Sequence, residues 1–471
     1  MVKTSEVFTP TRRPVITSVK RDSLWGELED YIEQGGVFLS VLGTTKLGKS
    51  TLITEVIQPV PFSAYIPGQS ITAGSEALWS LLSSKLGIPV SSVTGKVSSD
   101  KSKWGFMARF GISIPGLATN VASSAGGEHL VSDEKSKTYE LDVPSAIRES
   151  LSLLAIDARS KGLNPPVIVV DDFHFIVDEK TRREIILALR PIAELDVTVI
   201  LATLPGRDAD SGFSATNIGG RHKVVDVPLW RPEELKEIAT TGFEKLNVTA
   251  PSGLIDRLAE EAFGSPQLMQ EFCLNLCRKT NGIRESQAVS LELQPPDNWR
   301  DFFRLIDDPQ SKAWLVTLGV GPKQRKPRVA KADAGGFEKL DGYQLILWAL
   351  HNMGAKRETS FTKLRETMQG IPDVAQTGFH KFSFEGKVNT MHVLASREME
   401  DALAEAAPSL ESDGENVEDS TYSAEAIERA SVVPQPVFEA RLDSKTLVIR
   451  ILDPLLSFTL KWHPETFTQT S

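Results

Sequence analysis

The sequence predicts an α/β fold in which a P-loop NTPase core with a parallel sheet is followed by a helical lid and a C-terminal winged-helix domain. Three observations support this prediction. A glycine-bounded loop joins an apolar strand to a helix at residues 37–57, a second apolar strand at 165–172 ends in two aspartates, and helical periodicity replaces the α/β alternation after residue 231. The chain has 471 residues, of which 41% are hydrophobic, so it can form several domains.

Changes of pattern along the chain predict the domain boundaries. Residues 91–141 are rich in Gly and Ser and keep no period, and residues 408–428 are acidic without Lys or Arg, so both segments are expected to be flexible. The predicted segments are an extended N-terminal arm (1–20), a nucleotide-binding core (21–228) with the insertion 91–141, a helical lid (229–320), a basic linker (321–336) and a winged-helix domain (337–471) with the acidic loop 408–428.

The loop that follows the first strand carries the first chemical signal. Gly43, Gly48, Lys49 and Ser50 match the pattern G-x-x-x-x-G-K-[ST]. The glycines let the backbone N–H groups approach phosphate oxygens, the lysine can reach the β- and γ-phosphates, and the serine hydroxyl can ligate Mg²⁺. The following helix adds its positive N-terminal dipole. The other predicted nucleotide-binding residues of this motif are Thr44, Thr45, Lys46, Leu47 and Thr51.

The second strand places two carboxylates after a run of four β-branched residues, with Asp171 and Asp172 at its end. Such a run is typical of a central parallel strand, and open α/β sheets bind ligands at the carboxyl ends of their strands. Together with the phosphate loop, it predicts that Asp171 holds Mg²⁺ and that Asp172 orients or deprotonates the attacking water. The alternative is that the two acids cap the next helix. For His174, a structural role is preferred over a contact with the γ-phosphate.

Two further positions complete the predicted catalytic set of Lys49, Asp172, Thr203 and Arg221. Thr203 follows the apolar strand 196–202, where a neighbouring strand can present a polar group to the γ-phosphate, and Arg207 is the second choice; an ordinary turn is the alternative. Arg221 immediately precedes the last predicted strand of the core. There it can point outward, so we predict an arginine finger for a neighbouring subunit's nucleotide site, with a simple surface arginine as the alternative.

The region after residue 231 is predicted to be helical. Helices are expected to begin at Pro232 and at Pro266, because proline suits the first turn of a helix. Cys273 and Cys277 lie four residues apart in the second of these helices. A single C-x₃-C pair is a poor metal site, so we expect both to be free thiols in the core.

The C-terminal part is predicted to be a winged helix. Helical patterns at 341–353 and 360–369 are followed by two alternating strands at 437–450. Before them, residues 323–331 contain five cations. These cations either contact the phosphates of a nucleic acid or belong to a solvated linker.

The assembled motifs resemble the STAND branch of the AAA+ superfamily of P-loop ATPases, and more loosely the origin-recognition-type AAA+ ATPases. The resemblance lies in the loop from Gly43 to Thr51, the aspartate-ended strand, Arg221 and the tripeptide Gly264-Ser265-Pro266. It implies ATP or ADP with Mg²⁺ as cofactors, and it implies that Pro266 contacts the bound nucleotide. STAND proteins usually carry an effector domain and a repeat sensor, and the sequence shows neither pattern. The effector would then be a separate chain.

Two functions fit these patterns. The first is an ATP-binding, slowly hydrolysing STAND-like switch that changes conformation or oligomerises with nucleotide and signals to a separate effector, as in the ATPases of bacterial antiviral systems. The alternative is a DNA-acting AAA+ ATPase of the initiator or transposition-helper kind, which would bind DNA through the winged helix and the basic linker. A third hypothesis is a structural P-loop protein that holds its nucleotide permanently.

Composition limits the choice of partners and compartment. The net charge of −10 argues against a protein that coats nucleic acid by bulk electrostatics, although it leaves a local basic patch open. No apolar run approaches the roughly 20 residues of a membrane span, and the polar N-terminal segment lacks the apolar region of a signal peptide. We therefore expect a cytoplasmic protein that forms a homo-oligomer or binds a separate effector, with DNA as a further candidate partner and no membrane contact.

Overall fold

The computed structural model describes residues 1–87, 143–176, 178–204, 219–322, 328, 330–395, 437–443 and 446–469. The chain divides into two compact units. The sheet unit comprises Asp22–Gly43 and Lys49–Val227, and the C-terminal unit comprises Met1–Arg21, Thr44–Gly48 and Pro228–Ser471. The middle of the phosphate loop therefore belongs to the C-terminal unit, while the residues on either side of it belong to the sheet unit.

The described part of the sheet unit contains one parallel sheet of five strands, as the sequence predicts. In chain order these are β1 Phe38–Leu42, β2 Ser63–Pro67, β3 Val167–Asp171, β4 Thr198–Thr203 and β5 His222–Asp226. Their order across the sheet is β2-β3-β4-β1-β5, and all neighbours run parallel. Strand β4 therefore lies between β1 and β3, and the carboxyl ends of these three strands are adjacent.

The three central strands, β1, β3 and β4, are buried over their whole length. They consist mainly of Val, Ile and Leu, and β-branched side chains suit a strand that is covered on both faces. Burying one such side chain stabilises a fold by about 1.5–3 kcal/mol, so this core fixes where the strand ends lie. The helices of this unit are Asp22–Gln34, Lys49–Val56, Ser75–Leu86, Val143–Ser160 and Glu179–Ala193.

The helical region after residue 231 is present in the C-terminal unit, together with two short paired strands, β6 Val248–Thr249 and β7 Leu291–Glu292. Proline begins the helices Pro232–Lys245 and Pro266–Asn275, as predicted. Cys273 and Cys277 are buried free thiols, as predicted. The helices are Pro232–Lys245, Leu254–Glu261, Pro266–Asn275, Trp299–Phe303 and Pro309–Val320.

The prediction of an extended N-terminal arm is wrong. Residues Thr4–Val7 form a short helix whose first N–H donates to the Arg284 carbonyl oxygen over 2.8 Å. Phe8 is fully buried, and its ring centroid lies 5.6 Å from that of Phe243. Val7 and Phe8 are both buried, and burying these apolar side chains helps to anchor the polar segment around them.

The C-terminal part combines helices with a three-stranded sheet, in an arrangement consistent with a winged helix. Three strands, β10 Glu358–Ser360, β11 Phe438–Asp443 and β12 Thr446–Ile451, pair antiparallel in the order β10-β12-β11. The predicted hairpin corresponds to β11 and β12, whereas β10 is too short to show a period of two. The helices here are Gly342–Asn352, Phe361–Gln369, Pro372–Thr377, Phe384–Ala395 and Pro454–Trp462.

The described end of the predicted basic linker is ordered structure. Strands β8 Ala332–Ala334 and β9 Phe337–Leu340 form an antiparallel pair. Arg328 donates to the Asp341 carboxylate over 2.9 Å and lies over the Tyr343 ring at 4.5 Å. This cation is therefore already neutralised, so for Arg328 the expectation of a solvated linker is wrong.

Several predictions concern residues outside the described ranges. These are the insertion 91–141, the acidic loop 408–428, Arg207, and most of the cations of 323–331. Among the described helices, none is both long enough and apolar enough to span a bilayer.

Candidate nucleotide-binding site

The strand order brings the predicted site residues of the sheet unit to one edge. Leu42, the last residue of β1, is paired with Thr203, the last residue of β4, and β3 on the other side of β4 ends at Asp171. The Gly43 N–H donates to the Thr203 carbonyl oxygen over 3.3 Å. The phosphate loop, Thr203 and the aspartate pair therefore all start from the carboxyl edge of one sheet, the usual ligand edge of such folds.

Lys49 is the first residue of its helix and is 6% exposed. Its Nζ donates to the Gly43 carbonyl oxygen over 2.6 Å, across the base of the loop. Burial lowers the pKa of Lys49 to about 8, and the charges of Asp172 and Asp171 only partly oppose this shift. A buried cation with two nearby carboxylates is suited to meeting the negative charge of a phosphate chain.

The candidate metal ligands Ser50 and Asp171 share one hydrogen-bond partner. The Tyr65 hydroxyl donates to Asp171 Oδ2 and is also hydrogen bonded to the Ser50 side chain. Burial and the bond to Asp171 raise the pKa of Tyr65, so the phenol stays neutral at physiological pH. A serine hydroxyl and a carboxylate gathered around one hydroxyl group form an all-oxygen set, which fits Mg²⁺.

Asp172 has an unusual backbone conformation, with φ of +51°. Asp tolerates this left-handed region better than most residues, and the turn directs the chain away from the end of β3. Asp172 precedes the short helical turn Phe173–Phe175, but its side chain makes no capping hydrogen bond in this described segment. Burial and the charge of Asp171 raise the pKa of Asp172. These observations disfavour the helix-cap alternative for Asp172.

The close approach of strand β2 to the aspartate pair depends on Gly68, which follows that strand. A Cβ atom at Gly68 would overlap the Asp172 carbonyl oxygen and would lie 3.0 Å from the Asp171 carbonyl oxygen. His174, just beyond, is 1% exposed and its ring lies 4.9 Å from that of Phe175. This burial agrees with the preferred structural role for His174.

Thr203 and Arg221 lie at opposite ends of their strands. Thr203 is 1% exposed, and its Oγ1 atom is buried without a hydrogen-bond partner among the described residues. Arg221 ends the helical turn Gly219–Arg221 before β5, so it lies at the amino edge of the sheet. It is exposed, and one guanidinium nitrogen reaches the Ala193 carbonyl oxygen at 3.5 Å. The sheet unit therefore does not bring Arg221 to the site edge of its own chain.

The middle of the phosphate loop is held by side chains of the C-terminal unit. Trp230 Nε1 donates to the Leu47 carbonyl oxygen over 2.9 Å. Arg357 Nη2 donates to Thr44 Oγ1 over 3.1 Å, and Lys46 Nζ lies 2.7 Å from Asp453 Oδ2. The remaining predicted loop positions, Thr45 and Thr51, are half-buried, and Gly48 adopts a φ of +82° that suits glycine.

Pro266 begins its helix as the first residue after a capped turn. Ser265 is buried, and its Oγ accepts the Leu268 N–H over 3.3 Å. The Trp230 N–H donates to the Gly264 carbonyl oxygen over 3.3 Å, while its indole bonds to the phosphate loop. Trp230 thus connects the glycine-serine-proline turn to that loop. A nucleotide contact by Pro266 itself remains a prediction.

Sequence reasoning missed four residues that contact the candidate site residues: Tyr65, Trp230, Arg357 and Asp453. Tyr65 lies in strand β2, and only the order of strands across the sheet shows that this strand pairs with β3 and its aspartates. The other three carry no motif, because each contacts the loop from a position more than a hundred residues away along the chain. Only the fold brings them together.

No protein-family model and no curated protein matches the chain. Solved structures similar to it include Cdc6p from Pyrobaculum aerophilum, at 11% identity over 99% of both chains with a TM-score of 0.37. Another is the Walker-type ATPase PABY2304 of Pyrococcus abyssi, at 14% identity over 94% of this chain and 96% of that chain, with a TM-score of 0.45. A third is the Aeropyrum pernix ORC1 protein in complex with DNA, at 10% identity over 99% and 97%, with a TM-score of 0.40. Similarity at this level assigns neither a substrate nor a partner.

Proposed function

We propose that the chain binds ATP with Mg²⁺ at the phosphate loop and slowly hydrolyses it to ADP and phosphate. One observation carries this proposal: Lys49, Asp171, Asp172 and Thr203 all lie at the carboxyl edge of a single parallel sheet.

Each residue has a distinct task in this proposal. Lys49 binds the β- and γ-phosphates, and its partial desolvation strengthens that attraction. Ser50 and Asp171 hold Mg²⁺, which supplies positive charge to the phosphate oxygens when bound. Thr203 donates its otherwise unpaired hydroxyl to the γ-phosphate.

Asp172 accepts the proton of the attacking water. Its raised pKa makes the carboxylate a stronger base than an exposed aspartate, because burial and Asp171 disfavour its charged form. A slow reaction is expected, because a complete site needs a further cation near the γ-phosphate and Arg221 lies at the other edge of the sheet. We propose that Arg221 serves the site of a neighbouring subunit.

Equilibrium binding of ATP with Mg²⁺ tests the proposed function. Lys49→Ala should weaken ATP binding about tenfold or more, because it removes a charge-assisted contact to phosphate. Lys85→Ala is the matched control, since Lys85 is an exposed lysine of the same unit outside the site. Wild-type protein that binds no ATP, or equal binding by Lys49→Ala, would overturn the proposal.

The first candidate for the output of this ATPase is an action on DNA. In the described C-terminal part, one helix, strand β10, three helices and a hairpin follow one another, which is consistent with a winged helix, a fold common in DNA-binding proteins. Of the described cations of the wing, Arg450 is paired with Glu358 at 2.8 Å and lies within 4.0 Å of Asp443, whereas Arg441 is exposed. Contacts to DNA phosphates would then come mainly from the cations of 323–331.

Duplex DNA binding at several salt concentrations tests this output. Neutralising the linker cations Lys323, Arg325, Lys326 and Lys331 together should abolish binding, and the wild type should lose affinity steeply with salt. Arg328 is left unchanged, because it is bonded to Asp341 within the fold. Salt-independent binding, or binding that survives the neutralisation, would contradict this output.

A second candidate output is the nucleotide-gated switch of the STAND type, with a separate effector and an antiviral role. The contacts of Lys46 with Asp453 and of Thr44 with Arg357 favour it, because they couple the phosphate loop to the winged-helix part within one unit. Mass measurement in solution with ATP, with ADP and without nucleotide tests this output. A nucleotide-dependent change of mass is expected, and an unchanging monomer would exclude both the oligomeric switch and the role proposed for Arg221.

A further inference from the structure

The hydroxyl of Tyr65 is bonded to both side chains that are proposed to ligate Mg²⁺. It donates to Asp171 Oδ2 and is also hydrogen bonded to the Ser50 side chain. A phenol has a single proton, so with that proton on the carboxylate the Ser50 hydroxyl is the donor of the second bond. The three groups form a directed chain from Ser50 to Tyr65 to Asp171, and all three belong to the sheet unit.

The register of strands β2 and β3 brings the phenol to this position. Tyr65 is paired with Val169 of β3, and Asp171 lies two residues further along β3. Side chains two residues apart on a strand lie on the same face of the sheet, so Tyr65 and Asp171 share one face. The long phenol spans the step between them. The contact therefore follows from the pairing of two strands of the sheet.

The carboxylate oxygen that Tyr65 bonds is the one that a cation would need. Asp171 Oδ1 accepts the Asp172 N–H over 3.0 Å, and that bond already orients the carboxylate. A partner that only orients a metal ligand bonds an atom other than the ligating one, as at the second ring nitrogen of a metal-bound histidine. Tyr65 instead bonds Oδ2, the oxygen that the backbone leaves available. This choice of atom indicates competition with a cation.

Space and charge agree with competition. Two neighbouring ligands of one Mg²⁺ ion lie about 3 Å apart, since each is roughly 2.1 Å from the ion at a right angle to the other. A hydroxyl oxygen bonded to both ligands competes with the ion for this space. Asp171 and Asp172 both act on Lys49, so these three residues carry two negative charges and one positive charge. The neutral phenol leaves this excess unbalanced, whereas a divalent cation offsets it.

We propose that Tyr65 sets the metal affinity of the site by competing with Mg²⁺ for Ser50 and Asp171. Its hydroxyl bonds both ligand oxygens when no cation is bound and leaves them when a cation binds. The proposal rests on the proposed function, since it requires Ser50 and Asp171 to be metal ligands. The free energy that these two hydrogen bonds contribute is given up on metal binding, so they weaken metal binding by the same amount. The cation is then held mainly together with nucleotide, whose phosphates add oxygen ligands.

The ATP affinity of the full-length chain, measured in Mg²⁺ and again in EDTA, tests this assignment. Tyr65→Phe should bind ATP about tenfold more tightly than the wild type in Mg²⁺ and within about twofold of it in EDTA, because only the metal-bound complex gains. Tyr31→Phe is the matched control. Tyr31 lies in the helix Asp22–Gln34 of the same unit, so this variant should equal the wild type in both conditions.

Mn²⁺ binding without nucleotide measures the metal site directly, because free Mn²⁺ is counted by its EPR signal and the ion accepts the same oxygen ligands. Tyr65→Phe and Tyr65→Met both lack the hydroxyl. Each should bind Mn²⁺ about tenfold more tightly than the wild type. Misfolding lowers affinity, so a gain in both variants cannot come from loss of structure.

The outcomes separate this assignment from the proposed function. Wild-type protein that binds no ATP, or binds it equally well in Mg²⁺ and in EDTA, would overturn the proposed function itself. If the wild type needs Mg²⁺, unchanged or weaker metal binding by the folded Tyr65 variants overturns the competition, since removing a residue that only orients Asp171 would weaken metal binding. An equal gain in Tyr31→Phe would overturn it as well.

Discussion

The two lysines of the phosphate loop have contrasting environments. Lys46 has a φ of +61°, its side chain is 25% exposed, and it is paired with the carboxylate of Asp453. Lys49 is 6% exposed and donates to a backbone carbonyl oxygen, and its pKa is lowered to about 8. Lys46 is thus compensated by a counter-ion from the C-terminal unit, whereas Lys49 holds a less solvated charge in the sheet unit. Under the proposed function, this difference would give one loop two tasks, phosphate binding by Lys49 and communication with the winged-helix part through Lys46.

The largest effect on activity is expected from substituting Asp172, whose charge acts on Lys49. Asp172→Asn should lower the rate of ATP hydrolysis by about 10²–10⁴-fold, because it removes the proposed general base. ATP affinity should stay equal or rise slightly, since a negative charge near the phosphates is lost. Single-turnover hydrolysis and equilibrium binding measure the two quantities separately.

The control for this variant is Asp226→Asn. Asp226 is an exposed acid at the end of the edge strand β5, which pairs with β1 and not with β3. The Asp226→Asn variant should hydrolyse ATP at the wild-type rate. Hydrolysis by Asp172→Asn within about threefold of the wild type would remove Asp172 from the mechanism.

The pH dependence of ATP binding tests the environment of Lys49. The free protein has a Lys49 pKa of about 8, and bound phosphate would raise it. Below this pH, Lys49 is charged in both the free and the ATP-bound protein, so ATP affinity should not depend on pH. Above it, binding must first protonate Lys49, so affinity should fall to about one tenth between about pH 7 and about pH 9.

The fall above pH 8 should vanish in Lys49→Met, which binds weakly but has no proton to gain. The buried cysteines do not interfere in this range, because burial raises the pKa of Cys277 to about 12 and that of Cys273 well above its usual value. An equal fall in Lys49→Met would show that another group causes the pH dependence.

Tyr65 offers a smaller and purely structural test of the sheet edge. Tyr65→Phe removes the hydroxyl that bonds to Asp171 and to Ser50. The free energy of unfolding without nucleotide should fall by about 1–2 kcal/mol, because a buried carboxylate loses a donor. Chemical denaturation measures this change, and saturating Mg²⁺ should reduce it if the cation takes over the charge of Asp171.

Much of the sheet unit could be predicted, because its signals are local. The run of β-branched residues before Asp171 and the glycines around Thr44–Gly48 determine strand and loop by themselves. Their common edge then follows from the rule that parallel strands present their carboxyl ends together. This reasoning predicts the positions of Lys49, Asp171 and Thr203, and their roles stay predictions.

The contacts of the middle of the phosphate loop, Thr44–Gly48, could not be predicted, because they join distant parts of the chain. Arg357 lies 313 positions after its hydrogen-bond partner Thr44, and Asp453 lies 407 positions after Lys46. In the sequence, Asp453 before Pro454 is simply a helix cap, which it also is in the structure. The prediction of an extended N-terminal arm was wrong for a related reason, because Phe8 packs against Phe243, in the helix Pro232–Lys245.

The smallest expected effect is the coupling energy between Lys46 and Asp453, which tests the difference between Lys46 and Lys49. A double-mutant cycle of Lys46→Ala and Asp453→Ala should give a coupling energy of about 0.5–1 kcal/mol without nucleotide, as for other partly exposed ion pairs. The control cycle uses Lys461 and Glu261, which are also 2.7 Å apart and are similarly exposed.

Saturating ATP should reduce the coupling of Lys46 with Asp453, because phosphate competes with the carboxylate for the lysine. It should leave the coupling of Lys461 with Glu261 unchanged. Denaturation of all variants with and without ATP measures both cycles. If ATP leaves the coupling energy of Lys46 with Asp453 unchanged, Lys46 does not bind phosphate. Phosphate binding would then be limited to Lys49 and its sheet edge, and the loop would have a single task.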